Sequence, residues 1–208
     1  MIVQAFRSLY INLRGVIKHM RKIEYNSPII LTFAIAALGA LTLDKLTGGF
    51  TTLKFFSVYR CSLRDPSAYI RFFGYVLGHS GQEHYMSNML LMLVVGPAIE
   101  EKYGSRNLLL CIITTAFIGG IIQWLFFPRT ILLGASGIVF MMIVMSSFSG
   151  GSSKSIPLTL ILVIIFYLGN ELVTGLSVKD NISHITHIAG GICGAVAGFV
   201  LPKNSLRQ

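Results

Sequence analysis

Charged residues are scarce in this sequence, and acidic residues are especially few. Asp and Glu together number 8 among 208 residues, and all charged residues make up 12% of the chain, whereas apolar residues make up 53%. With a mean hydropathy of +0.71, this composition excludes an ordinary soluble domain and predicts a polytopic membrane protein. Cysteines are odd in number, and Cys111 and Cys193 fall inside apolar runs, so a disulfide framework is not expected.

Patterns typical of several other protein classes are also missing. The apolar runs contain no Asp or Glu near their centres, and no inverted repeat is found, which disfavours a transporter. The net charge of +9 is accounted for by basic flanks of apolar runs and does not indicate a nucleic-acid partner. A zinc site is an alternative for several His and Glu residues. However, there is no HExxH motif, so we expect no metal and no cofactor. The residues considered for that site are His79, Glu83, His84, His184 and His187.

Six apolar runs divide the chain, and we interpret each as a membrane helix. They cover about 28–45, 84–99, 106–127, 136–149, 156–176 and 182–201. The sequence therefore predicts an all-α polytopic membrane protein in which residues 28–201 form one six-helix bundle. Residues 202–208 are expected to form a short tail.

Six crossings return both ends of the chain to the same side of the membrane. Basic residues in the first 27 residues, together with Lys203 and Arg207, make that side the cytoplasm of a cell (inner) membrane. Apolar residues at helical spacing indicate that segment 1–27 is an amphipathic helix on anionic lipid, although a charged flank that only fixes orientation explains it equally well. The basic excess is modest because the first loop also holds Lys54, Arg60, Arg64 and Arg71.

The connection over residues 46–83 is too long for a simple turn. It is rich in aromatic residues, which prefer the membrane–water interface, so we predict an ordered loop partly immersed in the outer interface. These aromatic residues are Phe50, Phe55, Phe56, Tyr59, Tyr69, Phe72, Phe73 and Tyr75.

The fourth apolar run is too short to cross the whole bilayer. From Ser136 to Phe148 it offers 13 residues, which cover roughly 20 Å of a hydrocarbon slab about 30 Å thick. If its cytoplasmic end lies at the interface, Ser136 lies about 10 Å below the outer surface. Irregular backbone near Gly134 is tolerated at that depth only beside protein or water, so a polar cavity opening outward is expected.

The last run places a histidine at a similar depth. If its helix is capped near Asp180 or Asn181, His187 lies about 10 Å below the outer surface. Gly190 and Gly194, with Gly198, form a GxxxGxxxG pattern that lets a partner helix approach closely on the face that carries His187. A histidine held against a serine can activate it as a nucleophile.

Each of these residues also has a purely structural interpretation. His187 alone can equally be a packing residue, and Ser136 alone is more often an ordinary small residue at a helix start. His84 and Asn88 lie four residues apart and face the same way. They can donate hydrogen bonds to an oxyanion alongside the backbone N–H of Ser136, or they can merely cap the second helix.

Taken together, these residues resemble the rhomboid intramembrane serine proteases, and the resemblance runs in order from about residue 28 to residue 201. GxSG alone is a weak signal, but several blocks in order within six apolar runs make it specific. The blocks are Arg71, His79, His84-x-x-x-Asn88, Glu100-x-Lys102-x-Gly104-Ser105, Gly134-Ala135-Ser136-Gly137 and His187-x-x-Gly190-x-x-x-Gly194.

The resemblance implies a role for each residue. Ser136 would be the nucleophile and His187 its general base, in a dyad without an acidic third member. His84, Asn88 and the Ser136 backbone would form the oxyanion hole. The supporting residues would be Gly134, Gly137, Phe140 beside the catalytic histidine, Gly190, Gly194, Arg71, His79 and Glu100, the last tying down the cytoplasmic end of the second helix with Lys102 or nearby backbone.

The chain departs from the family pattern at two positions in the first loop. Ile70 stands where many members have tryptophan, and Tyr75 replaces a polar residue of some relatives. The expected activity is cleavage of single-pass membrane proteins near the outer end of their transmembrane segment, through an acyl-enzyme. Such segments and membrane lipids are the expected partners, and a non-catalytic rhomboid-like protein that binds membrane proteins is the alternative.

Overall fold

A computed structural model describes residues 25–148, 158–163 and 182–202, which are mostly helical. The one strand-like pairing among them is an antiparallel bridge between Val58 and Leu132. A 3-10 turn at Tyr75–Leu77 continues the third helix. The eight helices in the described residues are α1 (Pro28–Leu46), α2 (Phe50–Phe55), α3 (Ser67–Gly74), α4 (Gln82–Tyr103), α5 (Ser105–Phe126), α6 (Ser136–Ser147), α7 (Leu158–Val163) and α8 (Ile182–Val200).

Four of the predicted runs match helices closely. The ends of α1, α5, α6 and α8 all lie within two residues of the predicted ones. Helix α4 is longer than its run, because polar residues at both ends, such as Glu83 and Lys102, continue the helix beyond the apolar stretch. Of the fifth run only α7 is described, and segments 1–24 and 203–208 lie outside the described residues.

Two of the described helices, α1 and α5, are long and apolar enough to cross a membrane. Helix α6 has 12 residues, which at about 1.5 Å per residue span roughly 18 Å. The apolar part of α8, Ile185–Val200, is also shorter than a full crossing. Of the six predicted membrane helices, two thus have membrane length and composition within the described residues.

Helix α6 is the centre of the fold. It packs against α4, α5 and α8, and seven of its residues are at most 3% exposed. A helix that is apolar on every side is stable only when neighbours cover every side, which explains its central place. These residues are Ile138, Val139, Phe140, Met141, Met142, Val144 and Met145.

The contact between α6 and α8 is unusually close because glycines on α8 face the α6 backbone. A Cβ at Gly190 would lie 2.9 Å from the carbonyl carbon of Gly137, and a Cβ at Gly194 would lie 2.9 Å from that of Met141. Gly198 instead faces the ring of Phe148. The first two contacts hold the backbones of the two helices against each other.

The first loop is ordered and packs against α5. Its aromatic side chains contact that helix: Phe73 stacks on Phe117 at 5.4 Å, and Phe72 meets Trp124 edge-on at 6.4 Å. The backbone of Phe72 lies close to Gly120: a Cβ at Gly120 would be 2.8 Å from the Phe72 carbonyl oxygen. The loop therefore has a fixed position relative to α5.

Candidate active site

Ser136 is the first residue of α6 and follows a turn that requires glycine. Gly134 has φ +121°, a conformation that side-chain-bearing residues rarely adopt. A Cβ at Gly134 would also lie 2.8 Å from Nε2 of His84. The backbone just before the serine is thereby held directly against the His84 ring.

Three sets of hydrogen bonds fix the segment that leads to Ser136. Val58 and Leu132 exchange two backbone hydrogen bonds of 2.9 Å, and the Gly134 N–H donates to the carbonyl oxygen of Tyr75 at 2.9 Å. The buried amide of Gln123 donates to the carbonyl oxygen of Thr130 at 2.9 Å. Two of the three sets come from the first loop, so the loop helps to set the position of the serine.

His187, on the second turn of α8, reaches Ser136. Its Nε2 lies 2.8 Å from the Ser136 Oγ, within the range of a good hydrogen bond. The ring of Phe140, one turn after the serine, stacks on the imidazole with centroids 4.6 Å apart and an interplanar angle of 10°. Both Ser136 and His187 are half-buried, an arrangement in which the imidazole can accept the serine proton.

His84 and Asn88 project from α4 towards the same turn. Nδ1 of His84 lies 3.1 Å from the Ser80 hydroxyl and 3.5 Å from the Ser80 backbone N–H, which can only donate. With Nδ1 as the acceptor, a neutral His84 carries its proton on Nε2, the atom that faces Gly134. The side-chain amide nitrogen of Asn88 lies 3.9 Å from the same Cβ position. It is buried and has no hydrogen-bond partner among the described residues. Two donors thus lie near the backbone of Gly134.

His79 packs behind His84 and is 1% exposed. Its ring meets those of His84 and Tyr85 edge-on, at 5.0 Å and 5.6 Å. Its Nδ1 donates to the Leu77 carbonyl oxygen at 3.1 Å. Burial, followed by the neighbouring His84, lowers the pKa of His79 to about 4. A neutral, buried His79 therefore packs against the His84 ring and limits its movement.

Arg71 is buried in the first loop and joins several of its parts. It donates to Asp65 at 2.7 Å, to the Tyr59 hydroxyl at 2.9 Å and to the Cys61 sulfur at 3.4 Å. The hydroxyl and N–H of Ser67, then Arg71, lower the pKa of Asp65 to about 2. These contacts hold residues 59–65 against α3, directly after the Val58 bridge.

Glu100 lies at the other end of the fold and caps α1. Its carboxylate accepts the N–H groups of Ile29 at 3.0 Å and Ile30 at 3.2 Å, and the hydroxyl of Ser105 at 2.7 Å. The first N–H groups of a helix lack partners within it, and a carboxylate there is favourable. Backbone groups, one of the two predicted kinds of partner, thus bind Glu100, and they belong to α1.

The sequence did not single out Gln123 or Val58, and it noted Tyr75 only as one of the loop aromatics and as a departure from the family pattern. Gln123 carried a usable signal, because an amide inside an apolar run is costly unless it is hydrogen-bonded. Val58 carried none, since pairing with Leu132 depends on how the loop folds. Among the described residues, no three His, Cys, Asp or Glu side chains come together as a metal site requires, and the side chain of His184 is outside the described set.

Most of the chain is similar to known proteins. Residues 66–204 match the family model described as Rhomboid domain. Rhomboid protease GluP of Bacillus subtilis (strain 168) is 31% identical over 190 residues, covering 86% of this chain and 36% of that protein.

Two eukaryotic relatives match shorter parts of the chain. RHOMBOID-like protein 4 of Arabidopsis thaliana is 31% identical over 130 residues, covering 59% of this chain and 32% of that protein. Rhomboid-related protein 2 of Mus musculus is 28% identical over 147 residues, covering 63% of this chain and 47% of that protein. The chain thus spans between about a third and a half of the length of these three relatives.

Proposed function

This chain belongs to the rhomboid family, and from that premise we propose that it is an intramembrane serine endopeptidase. The observation that carries the proposal is the 2.8 Å hydrogen bond between Ser136 Oγ and His187 Nε2. Rhomboid proteins are generally serine proteases that act within membranes, and α1 and α5 suit a membrane setting. The substrates proposed are transmembrane segments of single-pass proteins.

The proposed reaction begins when Ser136 Oγ forms a bond to the scissile carbonyl carbon while its proton passes to His187 Nε2. The tetrahedral oxyanion is stabilised by the Ser136 N–H, His84 Nε2–H and the Asn88 amide. When the C–N bond breaks, His187 gives its proton to the leaving amine and an acyl-enzyme remains. A water, deprotonated by His187, then releases the carboxylate product and regenerates the serine.

Asn88 supports the proposed oxyanion role. An amide N–H that is buried and has no partner costs free energy, and Asn88 Nδ2 is such a group within the described residues. An oxyanion near Ser136 would satisfy it during the reaction. Removing one such donor typically lowers kcat by about 10²- to 10³-fold, so Asn88→Ala is expected to act on kcat rather than on KM.

The proposed orientation places six helices across the inner membrane, with both chain ends in the cytoplasm and the site opening outward. In this orientation α1 begins on the cytoplasmic side, where Glu100 caps it. The opposite end of α4 carries His84 against Gly134, so Ser136 is expected near the outer surface. A substrate helix has its carbonyls in internal hydrogen bonds. It must therefore unwind locally, and small or helix-breaking residues near the cut are expected to favour cleavage.

The proposal is tested with the full chain reconstituted in vesicles. Wild type is expected to cleave a single-pass model segment that has small residues near its outer end, and to be labelled at Ser136 by a fluorophosphonate. Ser136→Ala should lose both, whereas Ser147→Ala, a control on the same helix whose hydroxyl bonds to Ile143, should retain both. Equal cleavage by wild type and Ser136→Ala, or a wild type that never labels, would contradict the proposal.

A further inference from the structure

Tyr75, a residue of the first loop, lies behind both members of the Ser136–His187 pair. Its side chain is 5% exposed. Its carbonyl oxygen accepts the Gly134 N–H at 2.9 Å and the Gly78 N–H at 3.1 Å. Through its backbone, this one residue therefore holds the turn that ends two residues before Ser136.

The side chain of Tyr75 ends beside α5, near the residue that precedes the other member of the pair. Its hydroxyl occupies the space that a side chain at Gly119 on α5 would need, and a Cβ there would lie 3.5 Å from the Tyr75 Cζ. The same point is 4.0 Å from the Thr186 methyl group. The Tyr75 hydroxyl thus lies beside Gly119 of α5, at a point close to Thr186, the residue that precedes His187.

Thr186 completes the link between the two sides. A Cβ at Gly137 would lie 3.3 Å from the carbonyl oxygen of Thr186, so the backbones on either side of the pair are in close contact. Ser136 and His187 are 51 residues apart in sequence, and no covalent constraint fixes their separation. Their geometry depends on what packs around these two segments.

We propose that Tyr75 is a positioning residue for Ser136 and His187: its backbone fixes the turn before the serine and its ring fixes the start of α8. This inference rests on the proposed function. The Tyr75 hydroxyl fits beside α5 only because Gly119 has no side chain, so the contact depends on both residues. Interiors are close-packed, and a small change in volume there shifts the neighbouring backbone.

The test introduces a clash at this contact and then removes it. Gly119→Ala places a methyl group against the Tyr75 hydroxyl, and Tyr75→Phe removes that hydroxyl while keeping the ring and the backbone hydrogen bond. The matched control is Gly96→Ala, where the new Cβ would lie 2.5 Å from the Ile30 Cδ1, between α1 and α4. It creates a similar clash away from the site.

The rate constant for fluorophosphonate labelling of Ser136 is measured per folded molecule, beside the thermal unfolding midpoint. Gly119→Ala should lower this rate by roughly 10- to 100-fold, because misplacement of reacting groups by about 1 Å can cost that much. In the cleavage assay, Gly119→Ala should lower kcat and leave KM unchanged. Gly119→Ala/Tyr75→Phe should recover most of the rate. Gly96→Ala should lower the midpoint but keep the rate.

The outcomes for the role of Tyr75 and for the proposed protease function can be told apart. A Gly119→Ala protein with the wild-type rate, or a double variant that stays as slow as the single one, overturns the role of Tyr75. If Gly119→Ala does not fold, Tyr75→Leu serves instead, and its wild-type rate would overturn the role as well. If wild type itself neither labels nor cleaves, the proposed protease function fails, independently of Tyr75.

Discussion

The close contact between α8 and α6 makes Gly190→Ala the most informative single substitution. Ordinary contacts between carbon atoms begin at about 3.5 Å, whereas a Cβ at Gly190 would lie 2.9 Å from the carbonyl carbon of Gly137 and 3.2 Å from its Cα. Backbone atoms cannot rotate aside as a side chain can. Helix α8 therefore has to move away from α6 by about 0.6 Å.

That movement acts directly on the proposed catalytic hydrogen bond. His187 is on α8 and Ser136 is on α6, and their present separation is 2.8 Å. Moving α8 by the required amount lengthens it to about 3.4 Å, beyond the usual range of about 2.7–3.2 Å. A well-placed general base contributes about 10²- to 10⁴-fold, so we expect at least a hundredfold fall in kcat. Stability should fall by about 1–3 kcal/mol, as in other overpacked contacts.

Gly198→Ala is the control, because the atoms that its Cβ would meet belong to the Phe148 side chain and not to the α6 backbone. It lies three turns beyond His187 and should keep nearly the wild-type rate. Both variants are assayed in vesicles for cleavage and for fluorophosphonate labelling, with thermal unfolding measured on the same samples. If Gly190→Ala labels as fast as Gly198→Ala per folded molecule, the link between helix spacing and reactivity is refuted.

Two predictions concern stability. Glu100→Gln keeps one acceptor but loses the charged cap on the N–H groups of Ile29 and Ile30. It should cost about 1 kcal/mol in urea unfolding, whereas the exposed neighbour variant Glu101→Gln should cost less; equal costs would argue against the cap. Burial lowers the pKa of His79 from 6.5 to about 4, so below pH 6.5 the unfolded chain binds a proton that the folded protein does not. The unfolding free energy should therefore fall as pH drops from 6.5 to about 4 and then level off with respect to this group; a His79→Gln variant with the same pH dependence would contradict this.

Helix positions followed from hydropathy, because each apolar run is bounded by polar residues or glycine. The start of α6 at Ser136 could therefore be predicted, and the glycines of α8 stood out within its apolar run. Helix α4 extended further than expected because hydropathy measures apolar character, and Glu100 is helical although it is charged. The capping partner of Glu100 could not be read, since Ile29 and Ile30 carry no signal in their side chains for a backbone hydrogen bond.

The candidate site was predictable where its residues carry chemistry of their own. Ser136, His187, His84 and Asn88 could be selected by residue type, spacing and family resemblance. Some contacts that hold them were also expected, such as the Phe140 ring beside His187. Others could not be predicted: Val58 pairs through its main chain, and the fit of Tyr75 to Gly119 depends on the packing of a loop on a helix far away in sequence.

The pairing of Val58 with Leu132 has a consequence for measurements of rate. It joins the segment before Ser136 to the first loop by two hydrogen bonds, and that loop exposes Phe50 and Tyr69 where aromatic residues favour the bilayer interface. If the loop lies in the interface as its aromatic residues predict, a thinner bilayer or a detergent micelle shifts the loop and, through this bridge, the segment before Ser136, while the helices stay folded. The proposed turnover should then vary with acyl-chain length at constant helix content.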